Sequence, residues 1–346
     1  MPTKTTRVTQ TDVAQLSGVS QTTVSMVING TGVQQRRVSN EVRERVLAAV
    51  RETGYVANPI AQRLAGGRTS IVGVHTYESV FPHSAGDFYF PFLEGIEAAA
   101  EQSEVDILMF TSMSSSGRSL SSGAGIGRLR VADGCVLLGR SSSPDDLAEL
   151  LRQDFPFAFV GRREASGGEV PWAGAAYDEA TRSIVERLIG LGHRRISLLN
   201  EYAGHESMED RISGYESAMR RAGLTPVTLD VPESSPPELL DRLRAMGTTA
   251  VVTSPDLAYP LLTEARMRGL SIPQDLSIAR LGDPERPIGT DVDWTGFLIP
   301  RFEMGVRALR LVLQQFAQDF SDLQVRVPCA EVAGSTIAPP NHTTEL

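Results

Sequence analysis

Residues Val8 to Gly30 read V-T-Q-T-D-V-A-Q-L-S-G-V-S-Q-T-T-V-S-M-V-I-N-G, and the rest of the chain is read outward from them. Thr9 and Asp12 have the S/T-x-x-acid spacing of a capping box, so a helix starts near Gln10, with Val13 and Leu16 expected on its inner face. Ser17-Gly18-Val19 supplies a turn, and Gly18 can take the positive φ that a helix exit needs. Ser20 caps a second helix, on which Val24, Val27 and Ile28 recur at i, i+3 and i+4 as the buried side. Gln21, Thr22, Ser25, Met26 and Asn29 then face outward. That face is compact, polar and nearly uncharged, as a surface entering a DNA major groove must be to reach base edges. Thr9 and Ser20 join these five as candidate DNA contacts.

Two short helices around a glycine turn occur in many unrelated proteins, so the hairpin does not settle the matter alone. Length and charge add weight. At 346 residues the chain can hold a small domain and a large one, each with a core. No run approaches the ~18 apolar residues of a membrane span, and the N-terminus lacks the apolar centre of a secretory signal, so a cytoplasmic protein without a membrane partner is expected. Two cysteines, Cys135 and Cys329, each sit in an apolar stretch; buried reduced thiols are expected rather than a disulfide framework. Net charge is −9, but it is unevenly spread: residues 1–68 hold nine basic and four acidic side chains, and the remaining 278 hold 24 and 38. A basic head on an acidic body is what phosphate binding by the first domain alone would require.

A third helix follows, capped by Ser39, with Val42, Val46, Leu47 and Val50 on its apolar side and Gly54 at its exit. In the loop before it, Arg36 and Arg37 are as well read as solvated surface as phosphate contacts. Asn58-Pro59-Ile60-Ala61-Gln62-Arg63-Leu64-Ala65-Gly66-Gly67 then spells a helix of about two turns, with Asn at the cap, Pro at the first position and glycines at the exit. Such a helix is too short to stand alone in water, so it is expected to order against a partner.

These residues, V-T-Q-T-D-V-A-Q-L-S-G-V-S-Q-T-T-V-S together with G-Y-V-A-N-P-I-A-Q-R-L-A-G-G-R-T and the strand I-V-G-V, resemble the DNA-binding head and hinge of the LacI/GalR family of bacterial transcription regulators. The similarity runs on through D-G-C-V-L-L (133–138), P-F-A-F-V-G-R (156–162), L-I-G-L-G-H-R-R-I (188–196), D-R-I-S-G-Y (210–215), G-L-S-I-P-Q-D-L-S-I (269–278) and G-S-T-I-A-P-P (334–340). The resemblance implies a homodimer on double-stranded operator DNA, with Asn58, Ala61 and Leu64 of the hinge added to the DNA contacts and Leu64 wedged into the minor groove. It also implies a body like a periplasmic sugar-binding protein, crossed three times between two lobes, which places the crossings near 162–166, 290–297 and 324–330. The division expected is 1–57 for the helix-turn-helix head, 58–69 for hinge and linker, 70–340 for the effector and dimerisation body, and 341–346 for a tail.

The body's own pattern agrees in class. Strands are expected at Ile71–Tyr77, Val105–Thr111, Cys135–Leu138, Phe157–Val160, Ile196–Leu199, Ala250–Thr253 and Leu276–Leu281, with helices at 88–102, 177–191, 207–222, 256–268 and 301–318. That alternation implies parallel sheets with helices on both faces, and roughly 270 residues in this pattern exceed one core. The fold class is an all-α head plus an α/β body of two doubly wound, parallel-sheet lobes. Chemical look-alikes fall away: Gly123, Gly125 and Gly127 follow a Ser-rich run rather than a strand, the five histidines lack metal-ligand spacing, His193 fits a structural contact at a helix exit, and no serine sits in a G-x-S-x-G elbow. No enzyme, metal or cofactor is expected.

Ligand-contacting residues of parallel sheets lie at the carboxyl ends of strands. That nominates Phe88, Tyr89 and Phe90, then Arg162, Asp256 and Asp283, while Arg211 matches the arginine with which the family reaches its ligand. Aromatic stacking on a sugar face, with Arg and Asp forks to hydroxyls, is the expected chemistry. Departures stand out: Pro255-Asp256 replaces the family's frequent Asn-Asp, Gly282-Asp283 replaces its paired Asp-Asp, and Glu78 to Asp87 is longer and more aromatic than the usual link. These put an ordinary monosaccharide effector in doubt. The reading is a dimeric transcription regulator, a repressor, on a pseudo-palindromic operator and controlled by a small carbohydrate-related effector; the alternative is a ligand sensor whose head is vestigial.

Overall fold

The computed structural model describes residues 8–29, 38–56, 68–78, 86–111, 120, 125–201, 204–231, 235–284 and 292–341, and the side chains of Asn29, Gly86 and Asp87 are also outside the description. The hinge residues Asn58, Ala61 and Leu64 therefore lie outside the described residues, as do Arg36, Arg37 and most of the segment from Glu78 to Asp87. The chain divides into one unit of Met1–Ile71 with Val131–Asp133 and a second of Val72–Arg130 with Gly134–Leu346.

The first unit holds α1 (Gln10–Ser17), α2 (Gln21–Asn29) and α3 (Asn40–Thr53). Both halves of the capping box form: the Thr9 amide donates to Asp12 Oδ2 at 2.8 Å and the Asp12 amide to Thr9 Oγ1 at 3.4 Å. Gly18 exits α1 at φ +67°. The core is Val13, Ala14, Val24, Val27, Val46 and Ala49, all buried. Leu16 does not belong to it. Half exposed at 49%, it yields the inner face to Ala14 and Ser17, because positions 13, 14 and 17 share one side of the helix and position 16 turns off it by roughly a quarter turn.

The second unit contains two six-stranded sheets. The first orders β11 (Gln324–Val327), β5 (Trp172–Ala175), β4 (Phe157–Val160), β3 (Gly134–Leu138), β1 (Ile71–Thr76) and β2 (Asp106–Phe110). The second orders β12 (Ala330–Val332), β10 (Gly296–Leu298), β9 (Ser277–Arg280), β8 (Ala250–Thr253), β6 (Ile196–Asn200) and β7 (Val227–Asp230). β10 pairs with β12 in antiparallel fashion at one edge, while β1–β3, β3–β4, β4–β5, β5–β11, β6–β7, β6–β8, β8–β9 and β9–β10 are parallel. The period of two in a pleated strand divides each buried run between two cores. Val72, Val74, Val136, Leu138 and Val160 face one, while Cys135, Leu137, Phe157 and Phe159 face the other. The second sheet repeats this, with Leu198 and Val252 opposite Leu199, Val251 and Ile278.

Helices cover both faces. They are α4 (Gly86–Gln102), α5 (Gly125–Leu129), α6 (Pro144–Arg152) and α11 (Arg301–Phe316) on the first lobe, and α7 (Tyr177–Gly190), α8 (Glu206–Arg221), α9 (Pro236–Ala245) and α10 (Pro255–Met267) on the second. Gly125 and Gly127 lie in a short helix, α5. At the α4–α11 crossing, a Cβ on Gly95 would stand 2.0 Å from Phe302 O and one on Gly305 2.2 Å from Phe92 O, so only glycine permits these backbones to meet.

Two crossings are corrected. The stretch 162–166 does not leave the first lobe, because β5 follows it in the same sheet; the chain crosses at Ala176, between β5 and α7. The second crossing is at Ile299–Pro300, after β10 rather than within 290–297. The third, between β11 and β12, falls inside 324–330. His193, 1% exposed, closes the α7 exit through Nδ1 to Thr249 Oγ1 at 2.9 Å and Nε2 to Ala338 O at 2.8 Å. Both cysteines are free; Cys135 is buried and Cys329 partly so, and burial raises both thiol pKa values.

Candidate functional sites

In the first unit, Ser20 caps α2 by accepting from the Thr23 amide at 3.1 Å. This anchors the first turn and leaves Gln21 and Thr22 exposed, while Ser25 and Met26 are half-buried. Thr9 is exposed, but its hydroxyl donates to Asp12 at 2.8 Å, so its role is capping first. These bonds to Thr9 hold the Asp12 carboxyl below its ordinary range.

In the second unit, a cavity of about 190 Å³ opens where the carboxyl ends of strands from both sheets converge. Phe88, Tyr89, Arg162, Asp256 and Asp283, expected from strand ends, line it, and so does Arg211, expected from the family resemblance. Phe90 does not. It is 58% exposed, because residue 90 lies about 200° around α4 from residue 88 and the cleft face is 88, 89 and 92. Phe92, Arg140, Arg163, Tyr177 and Arg301, outside the expected set, line the cavity too. Arg140 follows β3 at its carboxyl end, where the strand-end rule applied to every strand would have found it; Arg301 carries no comparable signal.

The charges are arranged in pairs. Arg162, from the first lobe, meets Glu209 at 2.9 Å and Asp210 at 3.0 Å on α8 of the second, besides its neighbour Glu164 at 2.6 Å. Arg163, 7% exposed, donates to Gly139 O and Arg140 O at 2.9 Å each and pairs with Glu206 at 3.2 Å. Burial lowers its pKa. Arg301, also 7% exposed, pairs with Asp283, whose Oδ1 accepts from the Ile299 amide at 2.8 Å. Arg211, 9% exposed, differs: its Nε donates to Leu281 O at 3.1 Å and Nη1 to Ser207 O at 2.7 Å. No carboxylate among the described residues lies within ion-pair distance of it.

Aromatic rings carry these guanidinium groups. Arg211 lies 3.8 Å over Tyr177, Arg163 4.3 Å over Phe159, and Phe88 has Arg140 at 4.9 Å and Arg301 at 5.2 Å. Tyr89 donates its hydroxyl to Glu78, and burial followed by that bond drives its pKa far up. At the second lobe's rim, Ser254 donates to Glu201, whose pKa is pushed up to about 7 by burial and then by Asp256.

Residues 9–58 match the family model for bacterial regulatory proteins of the lacI family; 75–239 match that for periplasmic binding proteins and the sugar-binding domain of the LacI family, and 185–336 a periplasmic binding protein-like domain. The chain belongs to the LacI family. This LacI-family protein is a transcription regulator. It is 26% identical to catabolite control protein A of Priestia megaterium over 330 residues, 92% of this chain and 95% of that one. It is also 26% identical to the transcriptional repressor CytR of Escherichia coli K12 over 322 residues, 90% of each. Among solved structures, the transcriptional regulator CelR in complex with cellobiose is 25% identical with a TM-score of 0.61, covering 95% of this chain and 100% of that one. The lac repressor dimer bound to operator and the anti-inducer ONPF shares the fold, with 22% identity, a TM-score of 0.66 and coverage of 96% and 100%. Among the described residues, no helix is long and apolar enough to cross a membrane.

Proposed function

We propose that this LacI-family regulator is a repressor that binds a pseudo-palindromic operator as a homodimer and changes its operator affinity when a small, carbohydrate-related effector enters the cleft between its lobes. The observation that carries the effector half is the cavity itself: charged and aromatic side chains from both lobes converge on one space, so a ligand there touches both and can favour one lobe arrangement over another. Arg211 and Asp256 are assigned as its polar contacts. The DNA half rests on α2, whose capped first turn presents Gln21 and Thr22. The working division remains 1–57 as head, 58–69 as hinge with Asn58, Ala61 and Leu64 as DNA contacts, and 70–340 as body. CelR in complex with cellobiose and the lac repressor on its operator support this reading by analogy. Selecting bound DNA from a random pool tests it: an enriched inverted repeat is expected, and a head with no sequence preference would leave only a ligand sensor. Adding candidate sugars to the selected complex tests the effector, since no change in affinity with any of them would remove it.

A further inference from the structure

The entry to β1 is built from residues far apart in the chain. Val131–Asp133 group with Met1–Ile71 rather than with the strand that follows them, and Asp133 is the reason. Its Oδ2 accepts from the Thr69 amide at 2.7 Å and from the Ser70 amide at 2.9 Å, and its own amide donates to Ile71 O at 2.9 Å. The Ile71 amide donates to Thr69 Oγ1 at 3.3 Å, so the amides of residues 69, 70 and 71 are all satisfied within one small clasp. Ser70 stands in it at φ +56°, in the left-handed region where a residue other than glycine is strained. Such a conformation persists only where its surroundings hold it, and a carboxylate that takes the amides of both Thr69 and Ser70 does so. Asp133 is half-buried and Ser70 exposed, so either can be changed without opening a core.

Two strands continue from the clasp. β1 starts at Ile71 and β3 at Gly134, next to Asp133, and they pair in parallel from Val72 with Gly134 to Thr76 with Leu138. The linker residues that precede Arg68 therefore end at a fixed point rather than at a slack one. For a homodimer on an inverted repeat this matters, because two heads must reach half-sites at a set spacing. Once one head is bound, the other meets its half-site at an effective concentration that falls as the tether loosens. We propose that Asp133, acting through Thr69 and Ser70, is a positioning residue for operator recognition: it anchors the start of β1 and keeps the tether to the head short and stiff. This rests on the operator-binding reading and deepens it.

The test uses the full-length protein and three variants on the inverted repeat selected by the wild type. Asp133→Ala removes the acceptor, and Asp133→Asn keeps one oxygen in its place. Ser70→Pro deletes one donor and locks φ near −65°, which excludes the left-handed turn. Asp133→Ala and Ser70→Pro should each bind the full operator about tenfold or more weakly, and Asp133→Asn should recover most of that loss. A fragment carrying one half-site should bind all four proteins equally, since no second head has to be placed, and non-specific affinity should keep its salt dependence. Tm of the larger unit should move by no more than about 4 °C. Trypsin cleavage after Arg68 reports the clasp itself, because a protease acts on locally opened chain; the fragment beginning at Thr69 should appear about tenfold faster from Asp133→Ala, read by mass spectrometry. Should Asp133→Ala fail to fold, Ser70→Pro, at an exposed position, carries the same reading. Full-operator affinity undiminished in the variants overturns the proposal, and so does a loss shared equally by the single half-site. A wild type that selects no operator brings down the regulator reading; faster cleavage with intact operator binding leaves that reading standing and removes only this role for Asp133.

Discussion

Asp283→Ala separates a residue that holds the cleft together from one that only touches ligand. Asp283 pairs with a guanidinium that is 7% exposed and accepts from the Ile299 amide at 2.8 Å, while its own side chain is 23% exposed. Removing one member of a fully buried pair costs about 3–5 kcal/mol, since the other charge is left without compensation. The lost amide bond adds about 1 kcal/mol, and water reaching the partly open Asp283 site takes some of this back, leaving a loss of ~2–4 kcal/mol. At about 2 °C per kcal/mol for a body of this size, Tm should fall by roughly 4–8 °C. Asp283→Asn keeps an acceptor for Ile299 and should lose about half as much. Both tryptophans, Trp172 and Trp294, lie in the larger unit, so urea unfolding followed by their fluorescence reports that unit directly. A loss below ~0.5 kcal/mol for Asp283→Ala would show that the pair does not hold the cleft and that this reasoning is wrong.

Glu201 is raised to about 7 from an ordinary 4.5, so its contribution is fully present below pH 4.5 and is lost as pH rises through 7. Glu201→Gln should accordingly stabilise the body by on the order of 2 kcal/mol at pH 8 and by little at pH 4.5, read from urea midpoints at the two pH values. A Cβ on Gly214 would stand 2.1 Å from Asp178 O, so Gly214→Ala should part α7 from α8 and cost ~1–3 kcal/mol or more; Gly127→Ala meets nothing within 4 Å in α5 and should gain up to ~1 kcal/mol. Arg211→Ala should abolish effector-dependent change in operator affinity while the affinity without effector is kept, measured by fluorescence anisotropy on labelled operator; a surviving response would move the effector elsewhere.

Strands buried on both faces were legible because their runs are continuously apolar, as in Phe157–Val160 and Ala250–Thr253, whose bounds match the structure. Those missed are short or lie at sheet edges. Trp172-Ala-Gly-Ala consists mostly of small residues, and Gln324-Val-Arg-Val alternates like a solvated loop. Missing β5 is what misplaced the first crossing. In the cleft, strand ends led to Arg162, Asp256 and Asp283, and family resemblance to Arg211. Their partners were not legible, because Arg301 with Asp283 and Arg162 with Glu209 join residues far apart in sequence and no local period records such pairs. Phe90 shares the aromatic run of Phe88 but not its helical phase, so composition alone does not separate the two.

α2 is proposed as the element that reads DNA sequence at a specific operator. The direct measurement is the ratio of affinities for the selected operator and for random DNA, across a salt series, in the wild type and in a Gln21→Ala, Thr22→Ala variant. A ratio of at least ~10³ is expected in the wild type, reduced by ~10-fold or more in the variant, with the salt dependence of non-specific binding unchanged because phosphate contacts remain. The same preferred site bound with an undiminished ratio by the variant would contradict it.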